Sequence, residues 1–309
     1  MSGLFTFPGQ GAQRAGMLHV LPDHAEVKRT IDEATDILGE DPLQLDTAEA
    51  FASSYAVQIC LLLAGVAMAR VLLAHGGRPD MVAGLSIGAY PAAVIADVID
   101  HADAVRMVAL RARLMDKRYP EGYGMSAIVG LDQAQLSTLI AQVHGSTTPV
   151  YLANLNAPRQ LVIAGADTAM QQVMALALDH GATRAERLAV TVPSHCPLFD
   201  DDAATMRDAF KTITLRRPRL RYLSSSAARD LFDPARIADD LASNLARQVH
   251  WHDTARLAWE RGARLAVEMP CGSVLTNLTA PVFIDGQAIS CDNTKMETVL
   301  ALIKRQRSA

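Results

Sequence analysis

The pentapeptide Gly84-Leu85-Ser86-Ile87-Gly88 carries the strongest chemical signal in the chain. It follows Met81-Val82-Ala83, which reads as a strand, and precedes Ala89 to Val98, which reads as a helix. In that context G-x-S-x-G predicts a nucleophile elbow, a strained turn that projects the serine oxygen. Its glycines admit chain and substrate where a Cβ would collide. A helix starting behind Ser86 would also aim free N–H groups and a positive dipole end at the site. The bland reading is an ordinary strand-to-helix turn of small residues. Serine needs a base to take its proton, and His195 in Val192-Pro193-Ser194-His195 is the best placed histidine in a downstream loop. A surface-loop histidine would look the same. His101, His144 and His180 fall at predicted helix ends and His24 before a helix, so they read as structural. No metal site is expected: Cys60, Cys196, Cys271 and Cys291 are far apart without C-x-x-C, and His250 and His252 lack a third ligand nearby.

These residues need a scaffold, and the chain of 309 residues is long enough for one large domain or two unequal ones. Half of it is hydrophobic, and Lys+Arg 29 against Asp+Glu 33 leaves a net charge of -4. No basic stripe with interleaved aromatics is present, so a nucleic-acid binder is not expected. The longest uncharged apolar run, Ile59 to Ala69, falls short of the ~18 to 20 residues a bilayer requires, so no membrane span is expected. Met1-Ser2-Gly3 runs directly into Leu4-Phe5-Thr6-Phe7 without the features of a signal peptide, which predicts a cytoplasmic protein.

Leu4 to Phe7 reads as a strand entering the turn Pro8-Gly9-Gln10-Gly11. Helices follow at Glu26 to Leu38, ended by Gly39, and at Ser54 to Ala74, apolar on nearly every face except Gln58. Beyond the elbow, Ala102 to Asp116 reads as a further helix. From Ser126 the order becomes βαββαβ: strands Ser126 to Val129, Val150 to Leu155, Gln160 to Ala164 and Thr183 to Leu188, with helices Asp132 to His144 and Asp167 to His180. That order predicts a ferredoxin-like subdomain, residues 125–190, inserted into an α/β-hydrolase-like body of residues 1–124 and 191–309. The body resumes with a helix near Leu198 to Phe210 and the strand Arg221 to Ser225. Helices Arg236 to Leu245 and His252 to Arg261 and the strand Arg264 to Met269 complete it.

Four segments read together carry a family resemblance: Phe7-Pro8-Gly9-Gln10-Gly11, Gly84 to Gly88, Arg111, and Val192-Pro193-Ser194-His195. They resemble the malonyl-CoA:acyl-carrier-protein transacylases, the acyltransferase family of fatty-acid and polyketide synthesis. The similarity extends over nearly the whole chain, including Pro120-Glu121-Gly122, Asn154-x-Asn156-x-Pro158, Val162-Ile163-Ala164-Gly165 and Val274-Leu275-Thr276. The resemblance implies that Ser86 is the acylated serine and His195 its base. Gln10 and Ile87 match the positions whose backbone N–H groups form the oxyanion hole, each donor typically worth about 2.7 to 4 kcal/mol. Arg111 matches the arginine that grips the free carboxylate of malonate with two parallel charge-assisted hydrogen bonds. Gln58, Met115, Asn154 and Asn156 match positions near the acyl pocket. The implied substrates are malonyl-CoA and the thiol of an acyl carrier protein, with no bound cofactor.

Two positions depart from the family's usual pattern. Leu85 stands where histidine is common, and His250 replaces the usual glutamine in Arg247-Gln248-Val249-His250-Trp251. In the family a backbone carbonyl of that loop orients the catalytic imidazole, so the resemblance places His250 near the site as a second titratable group. Gly84 to Tyr90 and Gly16-Met17-Leu18 are more similar to the transacylase (epsilon) subunit of bacterial malonate decarboxylase, which implies that enzyme's carrier subunit as partner. The alternatives are a fatty-acid-synthesis malonyl transacylase and a serine thioesterase or esterase of the α/β-hydrolase type. The latter needs an acid such as Asp167 or Asp179 to orient His195. A non-enzymatic carrier-docking scaffold is the remaining class.

Overall fold

A computed structural model describes residues 2–119 and 121–308, so Pro120 of the Pro120-Glu121-Gly122 match lies outside the described residues. From the N-terminus the chain forms β1 (Ser2–Phe7), α1 (Ala25–Leu38), α2 (Ser54–Ala74), β2 (Met81–Gly84), α3 (Ala89–Ile95) and α4 (His101–Arg118). The middle holds β3 (Tyr123–Val129), α5 (Gln133–Val143), β4 (Val150–Ala157), β5 (Gln160–Ala166), α6 (Asp167–Asp179) and β6 (Arg184–Arg187). The remainder forms α7 (Asp200–Phe210), β7 (Arg221–Ser224), β8 (Arg229–Leu231), α8 (Pro234–Ser243) and α9 (Trp251–Glu260). It ends with β9 (Ala263–Glu268), α10 (Val274–Thr279), β10 (Gln287–Ser290) and α11 (Met296–Ser308).

The result is a mixed α/β fold with two sheets. The larger is ordered β10-β9-β1-β2-β7-β8, parallel except for the β7–β8 pair. Its central strands are apolar at successive positions, as burial on both faces requires; Leu4 to Phe7 and all of β2 are buried. The smaller sheet is antiparallel, ordered β4-β5-β3-β6, and packs α5 and α6 over its own core of Ile128, Leu136, Ile163, Met170 and Val173. Its first strand begins at Tyr123, slightly ahead of the boundary expected at 125. The order expected between Ser126 and Leu188 is the order found.

Helix α2 extends well beyond the uncharged run Ile59 to Ala69. Counted as a whole helix rather than as an uncharged run, Ser54–Ala74 is long and apolar enough to cross a membrane. It is instead a core helix, buried along most of its length and packed against α1, α3 and α4. Apolarity on every face is what an interior helix needs. Helix α1 stops where expected, with Gly39 at φ 72 in the left-handed region. Strand β4 runs through Asn156 and Ala157, which were expected in a turn, because two register shifts let it bend and continue. Elements β8, α10, β10 and α11 were not anticipated from the sequence.

Candidate active site

Strands β1 and β2 run side by side, pairing Phe7 with Gly84, and both release their chains at the same carboxyl end. Beyond β1 comes Pro8-Gly9-Gln10, and beyond β2 the turn Ser86–Gly88 that leads into α3. Ser86 sits at φ 56, the left-handed strain expected of an elbow. The glycines are explained by contact. A Cβ on Gly84 would lie 2.0 Å from the Gly88 carbonyl carbon, and one on Gly88 would lie 2.1 Å from the Phe7 carbonyl oxygen. The Ser225 hydroxyl donates to Gly84 O at 2.8 Å and anchors the turn from β7's end.

His195 faces the serine, with Nε2 2.9 Å from Ser86 Oγ. Its backbone is left-handed as well, at φ 66, and its N–H donates to Leu245 O at 2.7 Å. Nδ1 lies 2.8 Å from Asn244 O and 3.0 Å from Arg247 O. Carbonyls only accept, so Nδ1 carries the proton and Nε2 is left as the acceptor for the serine hydroxyl. No carboxylate takes part: Asp167 pairs with Arg187, and Asp179 ends α6. Burial, with the Arg111 charge nearby, lowers the His195 pKa to about 4, so the imidazole is neutral at pH 7.

Arg111 enters from α4. Its Nη2 donates to Ser86 Oγ at 3.1 Å and to Asn244 Oδ1 at 3.2 Å, and its Nη1 to Gln58 Oε1 at 2.6 Å. The guanidinium is 1% exposed, all these partners are neutral, and its buried Nε has no acceptor. Burial lowers its pKa to about 10, which still leaves it charged at neutral pH. A buried cation without an anion is costly, so the site is electrostatically prepared for a negative group beside Ser86.

The cleft over these residues has a volume of about 240 Å³. Gln10, Ile87, Met115, Asn154 and Asn156 line it with Ser86, Arg111 and His195. Buried Oδ1 atoms of Asn154 and Asn156 have no partner, which leaves two acceptors on the β4 wall for a ligand. Gln58 does not line the cleft; it stands behind Arg111 and donates from Nε2 to Met115 Sδ at 3.4 Å. His250 departs from expectation. It precedes the first turn of α9, its N–H donates to Ser225 O at 2.7 Å, and it is not among the cleft-lining residues. The carbonyls that orient His195 come from Asn244 and Arg247 upstream.

Asn244 was missed from the sequence. Besides accepting from Arg111, it accepts from His195 Nδ1 through its carbonyl and donates from Nδ2 to Ser86 O at 3.3 Å. The available signal was an amide in the apolar helix end Leu241-Ala242-Ser243-Asn244-Leu245-Ala246, the same kind that marked Gln58. Cys196 is adjacent to the base in sequence but not a rival nucleophile: burial pushes its thiol up to about 12 and Sγ donates to Pro193 O. Among the described residues no group of His, Cys, Asp or Glu side chains could hold a metal.

An elbow serine, a histidine steered by backbone carbonyls and a buried arginine on this scaffold can form and discharge an acyl-serine, and that chemistry defines a class of serine-dependent acyl-transfer proteins. The chain belongs to the acyl transferase domain family, whose model matches residues 4–309. The malonyl CoA-acyl carrier protein transacylase of Haemophilus influenzae is 36% identical over 294 residues, spanning 93% of this chain and 94% of that one. That of Escherichia coli K12 is 37% identical over 281 residues, spanning 89% and 91%. FabD from Acinetobacter baumannii superposes with a TM-score of 0.92 at 35% identity, covering 98% of both chains. A malonyl-transacylase solved with its type II polyketide acyl-carrier protein gives 0.92 at 33% identity, covering 98% of this chain and 100% of that chain.

Proposed function

We propose that this protein moves a malonyl group from malonyl-CoA to the prosthetic-group thiol of an acyl carrier protein through a malonyl-Ser86 intermediate. The observation that carries the reading is Arg111, a buried cation with only neutral partners, 3.1 Å from the nucleophile. In the first half-reaction Ser86 Oγ attacks the thioester carbonyl carbon while His195 Nε2 takes the hydroxyl proton. The N–H of Ile87, at the start of the elbow turn where no preceding carbonyl is in reach, and that of Gln10 stabilise the oxyanion. Collapse breaks the C–S bond, and His195 returns its proton to the departing CoA thiolate. In the second half-reaction the carrier's thiol gives its proton to His195, attacks malonyl-Ser86, and the serine oxygen recovers the proton. Throughout, Arg111 holds the free carboxylate, which orients the acyl carbonyl toward the N–H pair.

The esterase alternative loses its main support because no acid side chain reaches His195. Within the transacylases, the finer reading is the epsilon subunit of malonate decarboxylase, acting on that enzyme's carrier subunit. It is supported by Leu85 and by the Ile87-Gly88-Ala89-Tyr90 continuation, where Leu85 lines the cleft and Tyr90 is fully buried with its hydroxyl donating to Leu241 O. The curated relatives named above are of the acyl-carrier type. We read the scaffold as an α/β-hydrolase-like body carrying a ferredoxin-like subdomain, supported by the strand orders of the two sheets. The test is transfer from malonyl-CoA to purified carriers differing in prosthetic arm. Efficient transfer to the malonate decarboxylase carrier is expected; preference for a phosphopantetheine-bearing fatty-acid carrier would keep the general reading and remove the finer one.

A further inference from the structure

Arg187 ends β6 at the point where the chain leaves the small sheet for the large one. Its pairing partner on β3 is Ser126, where the β3–β6 ladder ends; just beyond it Leu188 N–H donates to Met125 O at 2.9 Å, while β5 pairs the other edge of β3 from Tyr123 onward. The Arg187 guanidinium adds side-chain donors to this stretch where the β6 ladder ends. Nη2 donates to Tyr123 O at 2.7 Å, and Nη1 lies within reach of Met125 O at 2.9 Å, Leu188 O at 2.9 Å and Val190 O at 2.7 Å. Nε donates to Asp167 Oδ1 at 3.2 Å, the first residue of α6. One planar group thus joins four main-chain carbonyls from two chain segments and a carboxylate. Lysine, a point charge with three donors on one atom, cannot reproduce that fork. Gly124 makes the space: a Cβ there would lie 1.8 Å from Arg187 Nη2.

These are the two segments that cross between the sheets. One brings the chain from α4 into β3; the other runs from β6 through Leu188 and Val190 to His195. Met125, Leu188 and Val190 form part of the cleft wall. Met125 also touches the base's neighbour, because Ser194 Oγ donates to Met125 Sδ at 3.3 Å. The links therefore run from the guanidinium to Met125 O, from Met125 Sδ to Ser194, and from Ser194 to His195. We propose that Arg187 is a positioning residue of the transfer reaction, a clamp on both crossings that fixes the cleft wall and the segment delivering His195 to Ser86. It touches no reacting atom.

The activity readout rests on the transfer reading above, so the test has a second arm that does not. Arg187→Ala should stay folded and keep its KM for malonyl-CoA while kcat falls roughly 10- to 100-fold, the cost of a small misplacement of a catalytic group. Millimolar methylguanidinium should restore much of the loss, and Arg187→Lys little of it. Gly124→Ala, which displaces the guanidinium without deleting it, should lose kcat similarly and gain nothing from methylguanidinium. In the second arm, amide exchange across 188–195 should quicken about tenfold or more in Arg187→Ala, as local opening becomes easier. Unchanged kcat, a loss matched by the unfolded fraction, or no restoration by methylguanidinium overturns the proposal. If wild-type protein transfers no malonyl group, the functional reading fails, and unchanged exchange across 188–195 then overturns the clamp on its own.

Discussion

At the scale of single residues, the arrangement separates chemistry from selectivity. In the proposed reaction His195 takes and returns one proton in each half-reaction, so His195→Ala should slow acylation and deacylation alike, by about 10²- to 10⁴-fold. His250→Gln should leave both near wild type, because His250 does not line the cleft; comparing single-turnover rates of the two variants checks this. In the same proposal Arg111 acts on the substrate's charge. Losing one partner of a buried charge pair costs roughly 3 to 5 kcal/mol, so Arg111→Ala should cut malonyl transfer by two to four orders of magnitude. Acetyl transfer should fall little or rise, since the uncompensated guanidinium is gone. Equal loss for both acyl groups would make Arg111 a structural residue. Burial that lowers the His195 pKa to about 4 should also carry the acid limb of kcat/KM for malonyl-CoA well below 6.5; a limb at the ordinary histidine value would contradict the buried, Arg111-flanked imidazole. The elbow around Ser86 was legible from its strand–turn–helix context, whereas His195 needed the family resemblance to stand apart from a surface-loop histidine, and Gln58, matched to the acyl pocket, stands behind Arg111 instead. Asn244 was missed because its carbonyl and both ends of its side-chain amide act through partners, His195, Arg111 and Ser86, that only the fold brings together.

At the scale of elements, the elbow depends on a glycine contact with the neighbouring strand. Gly88→Ala would drive a Cβ into backbone atoms of Phe7, 2.1 Å from its oxygen, and neither strand nor turn can yield cheaply. A loss of about 3 kcal/mol, the upper end for overpacking, is expected. Gly3→Ala in the same strand meets only Pro79 Cα at 3.9 Å and serves as the control, with little change expected in thermal or chemical denaturation. The helix α2, apolar on nearly every face, and the alternating elements of the βαββαβ stretch have patterns long enough to read in the sequence. Strand β10 and helix α10 were missed for a physical reason that does not extend to α11, which has 13 residues. Strand β10 has only four residues at the sheet edge and α10 only six, too short for periodicity to register. Helix α10 owes its start to a distant group, the Glu268 carboxylate accepting from the Leu275 and Thr276 N–H groups. His250 was misplaced because the loop resemblance fixed its neighbourhood but not whether it lines the cleft.

At the scale of the whole molecule, two buried histidines tie stability to pH. The His101 pKa is lowered to about 4, chiefly by burial, so at neutral pH its imidazole donates to Glu33 Oε2 as a neutral group rather than as an ion. His195 is lowered to about 4 as well. An unfolded histidine takes its proton near 6.5, so the unfolded chain binds protons first as pH falls. The stability is fully present above that value and is lost as pH falls from about 6.5 toward 4. Buried carboxyls of Asp240 and Glu268, raised by desolvation, act in the opposite sense at the acid end. Comparing melting temperatures of wild type and His101→Gln between neutral pH and pH 5 isolates the histidine contribution: the variant should show the shallower decline, and an identical decline would contradict it. Strand β4 of the small sheet is tied to the loop before α9, where Val249 N–H donates to Ala153 O at 2.9 Å and Leu155 N–H to Val249 O at 2.7 Å. Asn154 and Asn156 of β4 line the same cleft as Ser86 at the elbow after β2. The account rests finally on Ser86 as the acyl carrier, and peptide mapping by mass spectrometry after incubation with malonyl-CoA tests it directly. One malonyl ester on Ser86, absent in Ser86→Ala, is the predicted result; label on Cys196 or another cysteine, or none at all, would contradict it.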